Sequence, residues 1–109
     1  MRTLLLASAL LMACTTADNT ANAADRRVKL INESRMTIVE FHASNISRSG
    51  FEEDILGKRV VAPGQSIVIN LDDGSGYCKF DFLTVMRTGQ KIVKRNVDVC
   101  QISTYRITD

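Results

Sequence analysis

From Val28 to the C-terminus, apolar and polar residues alternate with a period of two. That constrains the fold more than any other feature, because a strand turns successive side chains to opposite faces and a helix does not. "VKLIN" (28–32) places Val28, Leu30 and Asn32 on one face. "TIVEFHAS" (37–44) places Val39, Phe41 and Ala43 together, with Ile38, Glu40 and His42 opposite. "SIVINL" (66–71) gathers Ile67, Ile69 and Leu71. "YCKFDFLTVM" (77–86) gathers Cys78, Phe80, Phe82, Thr84 and Met86, with Lys79 and Asp81 outward. "KIVKRNVDV" (91–99) gathers Val93, Val97 and Val99, and "STYRIT" (103–108) closes the chain. β-branched and aromatic residues dominate these runs, as half-buried antiparallel strands require.

Turn chemistry separates the runs. "NESR" (32–35) links the first two, and "APGQ" (62–65) has the Pro-Gly order of a type II turn. "DDGSG" (72–76) and "RTGQ" (87–90) read as hairpin connections. The expected fold is all-β: a small antiparallel β-sandwich of about six or seven strands, one domain over residues 28–109. One stretch, "NISRSGFEEDILGKRV" (45–60), lacks the alternation. Within it, residues 51–56 read as a short helical turn, with early acids and a stop at Gly57. Phe51, Ile55 and Leu56 are then expected to plug the open end of the sandwich.

The first residues read as a targeting segment. Arg2 precedes the apolar run "LLLASALLM" (4–12), which is too short to span a bilayer, and "ANA" (21–23) has the small-x-small pattern of a signal peptidase site. This predicts a signal peptide over residues 1–23. A second reading competes: "LMAC" (11–14) resembles a lipobox, which would remove residues 1–13, lipidate Cys14 and leave residues 14–27 as a polar tether. Both readings place the folded domain outside the cytoplasm: periplasmic or secreted, or lipid-anchored to the outer membrane.

Export resolves the cysteine count. Cys14 belongs to the targeting segment, so Cys78 and Cys100 remain, and an oxidising compartment favours their pairing. With no CxxC and a single histidine, a redox or metal role for them is not expected. Cys100 sits on the opposite parity to Val97 and Val99, so either the strand ends near Val99 and turns, or a bulge re-aims it.

The residues that carry the pattern are Phe51, Asp54-Ile55-Leu56-Gly57, Pro63-Gly64, Cys78-Lys79-Phe80-Asp81, Gly89 and Val97-Asp98-Val99-Cys100. Together they resemble a family of small exported bacterial domains of unknown function, over nearly all of the mature chain. Relatives usually carry Trp-Gly where this chain has Phe51-Glu52. The resemblance implies an all-β exported domain without an established activity. Some relatives bear the name argininosuccinate lyase, an activity of long, mostly helical, oligomeric enzymes that a short β-patterned chain does not fit.

No constellation for catalysis stands out, and no cofactor is expected. His42 and Glu40 share a strand face, and Asp54 and Asp73 are the other acids a hydrolase or lyase would draw on. "GSG" (74–76) is not a nucleophile elbow. Asp72 and Asp73 lack the spacing of a calcium loop, and the acids 52–54 read as structural. A net charge of +2, without aromatics among the basic residues, excludes a nucleic-acid groove. What remains is a basic hairpin around Gly89, with Arg87, Lys91, Lys94 and Arg95, or the loop from Ser44 to Gly57, as an interaction surface for an envelope protein or surface ligand. The expected role is a non-catalytic binding module of the cell envelope, with a structural or accessory component as the alternative. Contact with a membrane is expected only through a lipid on Cys14.

Overall fold

The computed structural model describes residues 25–109. The residues read as a targeting segment, Cys14 and most of the expected tether lie outside them. Six strands follow in order: β1 (Arg27–Asn32), β2 (Ile38–Asn45), β3 (Ser66–Asn70), β4 (Lys79–Met86), β5 (Lys91–Asp98) and β6 (Thr104–Ile107). They form two three-stranded sheets, β3-β1-β6 and β2-β4-β5. The fold is the small all-β sandwich that the alternation requires, and no helix occurs among the described residues.

Only one of the turns makes a hairpin. Gly89 N donates to Met86 O at 2.8 Å and Met86 N to Gln90 O at 2.9 Å, joining β4 to β5. The φ of +92° at Gly89 suits glycine there. Residues 72–76, read from sequence as a hairpin connection, instead carry the chain from β3 in one sheet to β4 in the other. The polar turn chemistry is the same in both cases, and only the strand partners decide which it is. The Pro-Gly turn forms as expected, with Gln65 N donating to Ala62 O at 3.0 Å and Gly64 at φ +82°. All pairings are antiparallel except β1 with β6, which is parallel. β6 reaches β1 from the opposite sheet and not from an adjoining hairpin, so no tight turn dictates its direction.

The core lies between the sheets. Phe41 and Phe82 come from one sheet and Tyr105 from the other. The rings of Phe82 and Tyr105 lie 5.0 Å apart edge to face, as do those of Phe41 and Phe82. Such a cluster adds to the roughly 2–3 kcal/mol gained on burying each ring. Val28, Leu30, Ile69, Phe80, Met86 and Val97 complete the layer. Asn32 is fully buried among them, and its amide is satisfied. Nδ2 donates to Met36 O at 2.7 Å and Val61 O at 2.9 Å, while Oδ1 accepts from Ser34 N and Ser34 Oγ. One side chain thus closes the β1–β2 connection and holds the chain crossing at Val61.

Two β-bulges overturn the parity expected for β2 and β5. In β2 the register shifts between Ile38 and Glu40, so Ile38 joins Phe41 in the core and does not face away from it. In β5, Phe80 pairs with Val97 and Phe82 with Lys94, so two steps on β4 meet three on β5. Val97 is therefore buried, while Val93, expected beside it, is 48 % exposed, and Ile92 packs on the core instead. The extra residue is accommodated at Asn96, whose φ of 59° is tolerated by asparagine. Asp81 pins the bulge: Oδ1 accepts from Asn96 N and Oδ2 from Arg95 Nη1, each at 3.0 Å. Beyond it β5 ends at Asp98 and turns, which is how Cys100 reaches Cys78. Asp98 Oδ1 accepts from Cys100 N at 3.0 Å, and the disulfide joins Cα atoms 5.3 Å apart.

Residues 51–56 form no helical turn. Their backbone groups bond to β2 instead of to one another. Ile55 N donates to Phe41 O at 2.8 Å, and the Asp54 carboxylate accepts from Phe41 N at 2.9 Å and Leu56 N at 3.0 Å. Chain reversal comes later, where Arg59 N donates to Leu56 O across Gly57 at φ +62°. Val61 then exchanges both backbone hydrogen bonds with Ile38. The segment seals the outer edge of β2. Leu56 and Ile55 enter the core as expected, but Phe51 does not: it stands at the surface with the Arg95 guanidinium 5.6 Å from its ring centre.

Candidate recognition site

The bulge in β5 and the start of the 46–61 segment meet on the outer face of the β2-β4-β5 sheet. Between them lies a cleft of about 190 Å³, lined by Ser44, Arg48, Ser49, Gly50, Phe51, Asp81 and Arg95. Two strand ends build it. β2 finishes in the buried polar pair Ser44 and Asn45. Ser44 Oγ accepts from Glu52 N at 2.8 Å, drawing the returning segment onto the sheet. Asn45 Oδ1 accepts from Ser47 N at 3.0 Å and from the Ser47 hydroxyl, tightening the first turn of the loop. On the far side its Nδ2 donates to Asp73 Oδ2 at 2.9 Å, tying this loop to residues 72–76.

The cleft is cationic but internally balanced. Arg95 is held by Asp81 at 3.0 Å and covers the Phe51 ring. Arg48 reaches Glu52 at 2.9 Å. Of the four basic residues singled out in the sequence, Arg95 alone belongs to this built arrangement. The side chains of Arg87, Lys91 and Lys94 are exposed and form no ion pair among the described residues. Lys91 continues the positive surface along β5 away from the cleft, Arg87 stands in the β4–β5 turn, and Lys94 lies at the strand edge on the Phe82 side of the sheet.

The structure brings His42 and Glu40 together, as their shared strand face requires. Nε2 of His42 lies 2.8 Å from Glu40 Oε1, and Nδ1 lies 2.6 Å from Glu52 O. Both partners are acceptors, so the ring is best satisfied when both nitrogens carry a proton. Partial burial acts to lower its pKa, but the hydrogen bonds it donates to Glu40 and Glu52 O and the nearby carboxylates outweigh it, and the net direction is upward. Both ring nitrogens are engaged by these contacts. The ring acts as a clasp between β2 and the loop. Asp54 Oδ1 is committed to the backbone of Phe41 and Leu56.

Asp72 and one oxygen of Asp73 serve their own turn, and the other Asp73 oxygen accepts from Asn45. Asp72 Oδ1 accepts from Gly74 N at 3.1 Å, and Asp73 Oδ1 from Ser75 N at 3.0 Å. Partial burial would raise the Asp73 pKa, but the bonds from Ser75 and Asn45 dominate and lower it. Among the described residues, the grouping closest to a ligand set is Cys78, Asp98 and Cys100, and its two sulfurs are bonded to each other.

The sequence offered the loop from Ser44 to Gly57 as a candidate surface but did not show the Phe51–Arg95 stack that joins it to β5. Ser44 and Asn45 carry a local signal, as two adjacent polar residues ending the β2 run. The stack joins residues far apart in the chain and has no local signature.

No family model and no curated protein matches the chain. Among solved structures it is similar to one described as "NMR structure of the protein from Eubacterium rectale", with 16 % identity and a TM-score of 0.49. The match covers 78 % of this chain and 76 % of the other.

Proposed function

We propose that this protein is a non-catalytic recognition module of the cell envelope, exported to the periplasm or beyond. Its binding surface is the cleft beside Phe51 and Arg95 together with the cations of the β4–β5 hairpin. The observation that carries the reading is the division of labour among the basic residues. Arg95 and Arg48 are neutralised within the cleft wall, whereas Arg87, Lys91 and Lys94 leave their charge to solvent. An acidic segment of a partner protein, or an anionic surface ligand, suits that arrangement, with Phe51 as an apolar contact. Loops held on a rigid sandwich commonly carry recognition, and here Ser44, Asn45 and Asp81 hold them. The disulfide is compatible with an oxidising compartment, and the resemblance to exported domains supports the same location.

The test is capture from an envelope extract at physiological salt. The native protein is expected to retain a partner that the charge reversal Arg87→Glu, Lys91→Glu, Lys94→Glu releases. Retention of no partner, or of one indifferent to these changes, would overturn the reading. The intact mass decides between export forms. A chain beginning at Ala24 supports a soluble module, and one beginning at Cys14 with acyl mass supports a tethered one.

A further inference from the structure

The sandwich has four outer strands, and they are not equally guarded. The outer edge of β2 is covered by Asp54, Ile55 and Val61. β5 is bulged at Arg95–Asn96, carries Lys91, Lys94 and Arg95, and exposes Lys94 opposite the fully buried Phe82. A charge on the inward side of an edge strand is a device that keeps other strands away. β6 has only four residues and includes Arg106. β3, "SIVIN", has no charge, no proline and no bulge, and nothing among the described residues covers its outer edge.

Its backbone phase is readable. Asn32 N donates to Gln65 O and Leu71 N to Arg26 O, so the pairs that exchange hydrogen bonds with β1 involve Gln65, Ile67, Ile69 and Leu71. Ser66, Val68 and Asn70 therefore turn their N–H and C=O groups outward. The side chains form a near-palindrome about Val68: polar, Ile, Val, Ile, polar. A two-fold axis through Val68 would pair each outward-facing residue with another outward-facing residue. Val68 would meet Val68 of a second copy, and Ser66 would meet Asn70 on each side. About six backbone hydrogen bonds would form, as an antiparallel pair centred on an outward-facing residue allows. Ile67, half-buried now, would be covered by Ile69 of the other copy. The nearest like charges on that face are the two Lys29 side chains, each beside Val68 in its own sheet. They would sit three strand spacings apart, about 14 Å, beyond the screening distance of about 8 Å at physiological salt.

We infer that β3 is a self-association edge, through which two copies of this chain join their β3-β1-β6 sheets into one continuous antiparallel sheet. The interface is isologous and self-complementary, as closed dimers require. An edge of five residues is small, so the dimer is weak, with a dissociation constant of about 10 µM to 1 mM.

The experiment is sedimentation equilibrium of the native, disulfide-intact protein up to about 1 mM, beside Val68→Lys and Val93→Lys. Val68 and Val93 are both exposed edge valines, at 59 % and 48 %. The native protein and Val93→Lys are expected to dimerise with concentration, and Val68→Lys to remain monomeric. A second readout does not depend on how Val68→Lys folds. Val68→Cys places two sulfurs at the axis, where an antiparallel bonded pair has Cα atoms about 5.5 Å apart, within disulfide reach. It is expected to cross-link under mild oxidation, and Val93→Cys is not. A native protein that stays monomeric throughout, or cross-linking equal at both positions, would overturn the inference.

Discussion

The two sheets obey the same period-two pattern and use it differently. In β3-β1-β6 the alternation runs unbroken: Val28, Leu30 and Asn32 point in, and Arg27 and Lys29 point out. In β2-β4-β5 it breaks twice, and each break is held by a carboxylate from a neighbouring segment. Asp54 bonds beside the β2 irregularity, and Asp81 bonds across the β5 bulge. The regular sheet leaves a bare edge. The irregular sheet has one edge covered and the other charged, and it carries the cleft. Departures from the strand pattern thus mark where the surface has been shaped, while adherence to it marks where the core is simply filled.

The largest test of this contrast lies where the sheets meet. Phe82→Ala removes the ring that touches both Phe41 and Tyr105, and it should cost about 3–5 kcal/mol in urea unfolding. Removing the staple with Cys78→Ala and Cys100→Ala should cost about 3 kcal/mol, for a loop of 22 residues. A change below about 1 kcal/mol would mean that the turn at Asp98 holds the chain end unaided. Asp54→Ala strips the acceptor from Phe41 N and Leu56 N and should cost about 1–3 kcal/mol, with faster amide exchange along β2. If β1 exchanged faster to the same extent, the edge cover would not be specific to its own sheet.

The parity difference within β5 is sharper still. Val97→Ala should destabilise by about 1–2 kcal/mol and Val93→Ala by no more than about 0.5 kcal/mol, since only the first is buried. Equal effects would place the bulge elsewhere. The smallest effect concerns His42. Its folded pKa is raised above the ordinary 6.5, so its contribution is fully present below the unfolded value and fades as pH rises through the folded one. Stability to urea should fall slightly as pH rises above the ordinary value of 6.5, by well under ~1 kcal/mol because Glu40 stands half in solvent. Glu40→Gln should flatten that slope.

Much of the core was legible in advance. The buried positions of β1, β3 and β4 follow from alternation alone, and the Cys78–Cys100 pairing follows from counting cysteines once Cys14 is set aside. The helical turn expected at residues 51–56 did not form, because Phe41 offers its N–H and C=O to that segment and an edge strand satisfies backbone groups as well as a helix does. Of the site, the basic hairpin and the His42–Glu40 pair were readable as neighbours on one strand or turn. The loop from Ser44 to Gly57 was readable as a candidate surface, but its meeting with Asp81 and Arg95 in one cleft wall was not, since these come from separate elements.

Sequence alone therefore determined the class of fold, the inward faces of the regular strands, the Pro-Gly turn and the covalent staple. Each depends on local geometry or on composition. Tertiary structure decided where the alternation slips, which strands become edges and which cations remain unpaired. These depend on partners distant in the chain: a bulge is a mismatch between two strands, and a strand's own residues do not reveal it until the opposite strand is in place.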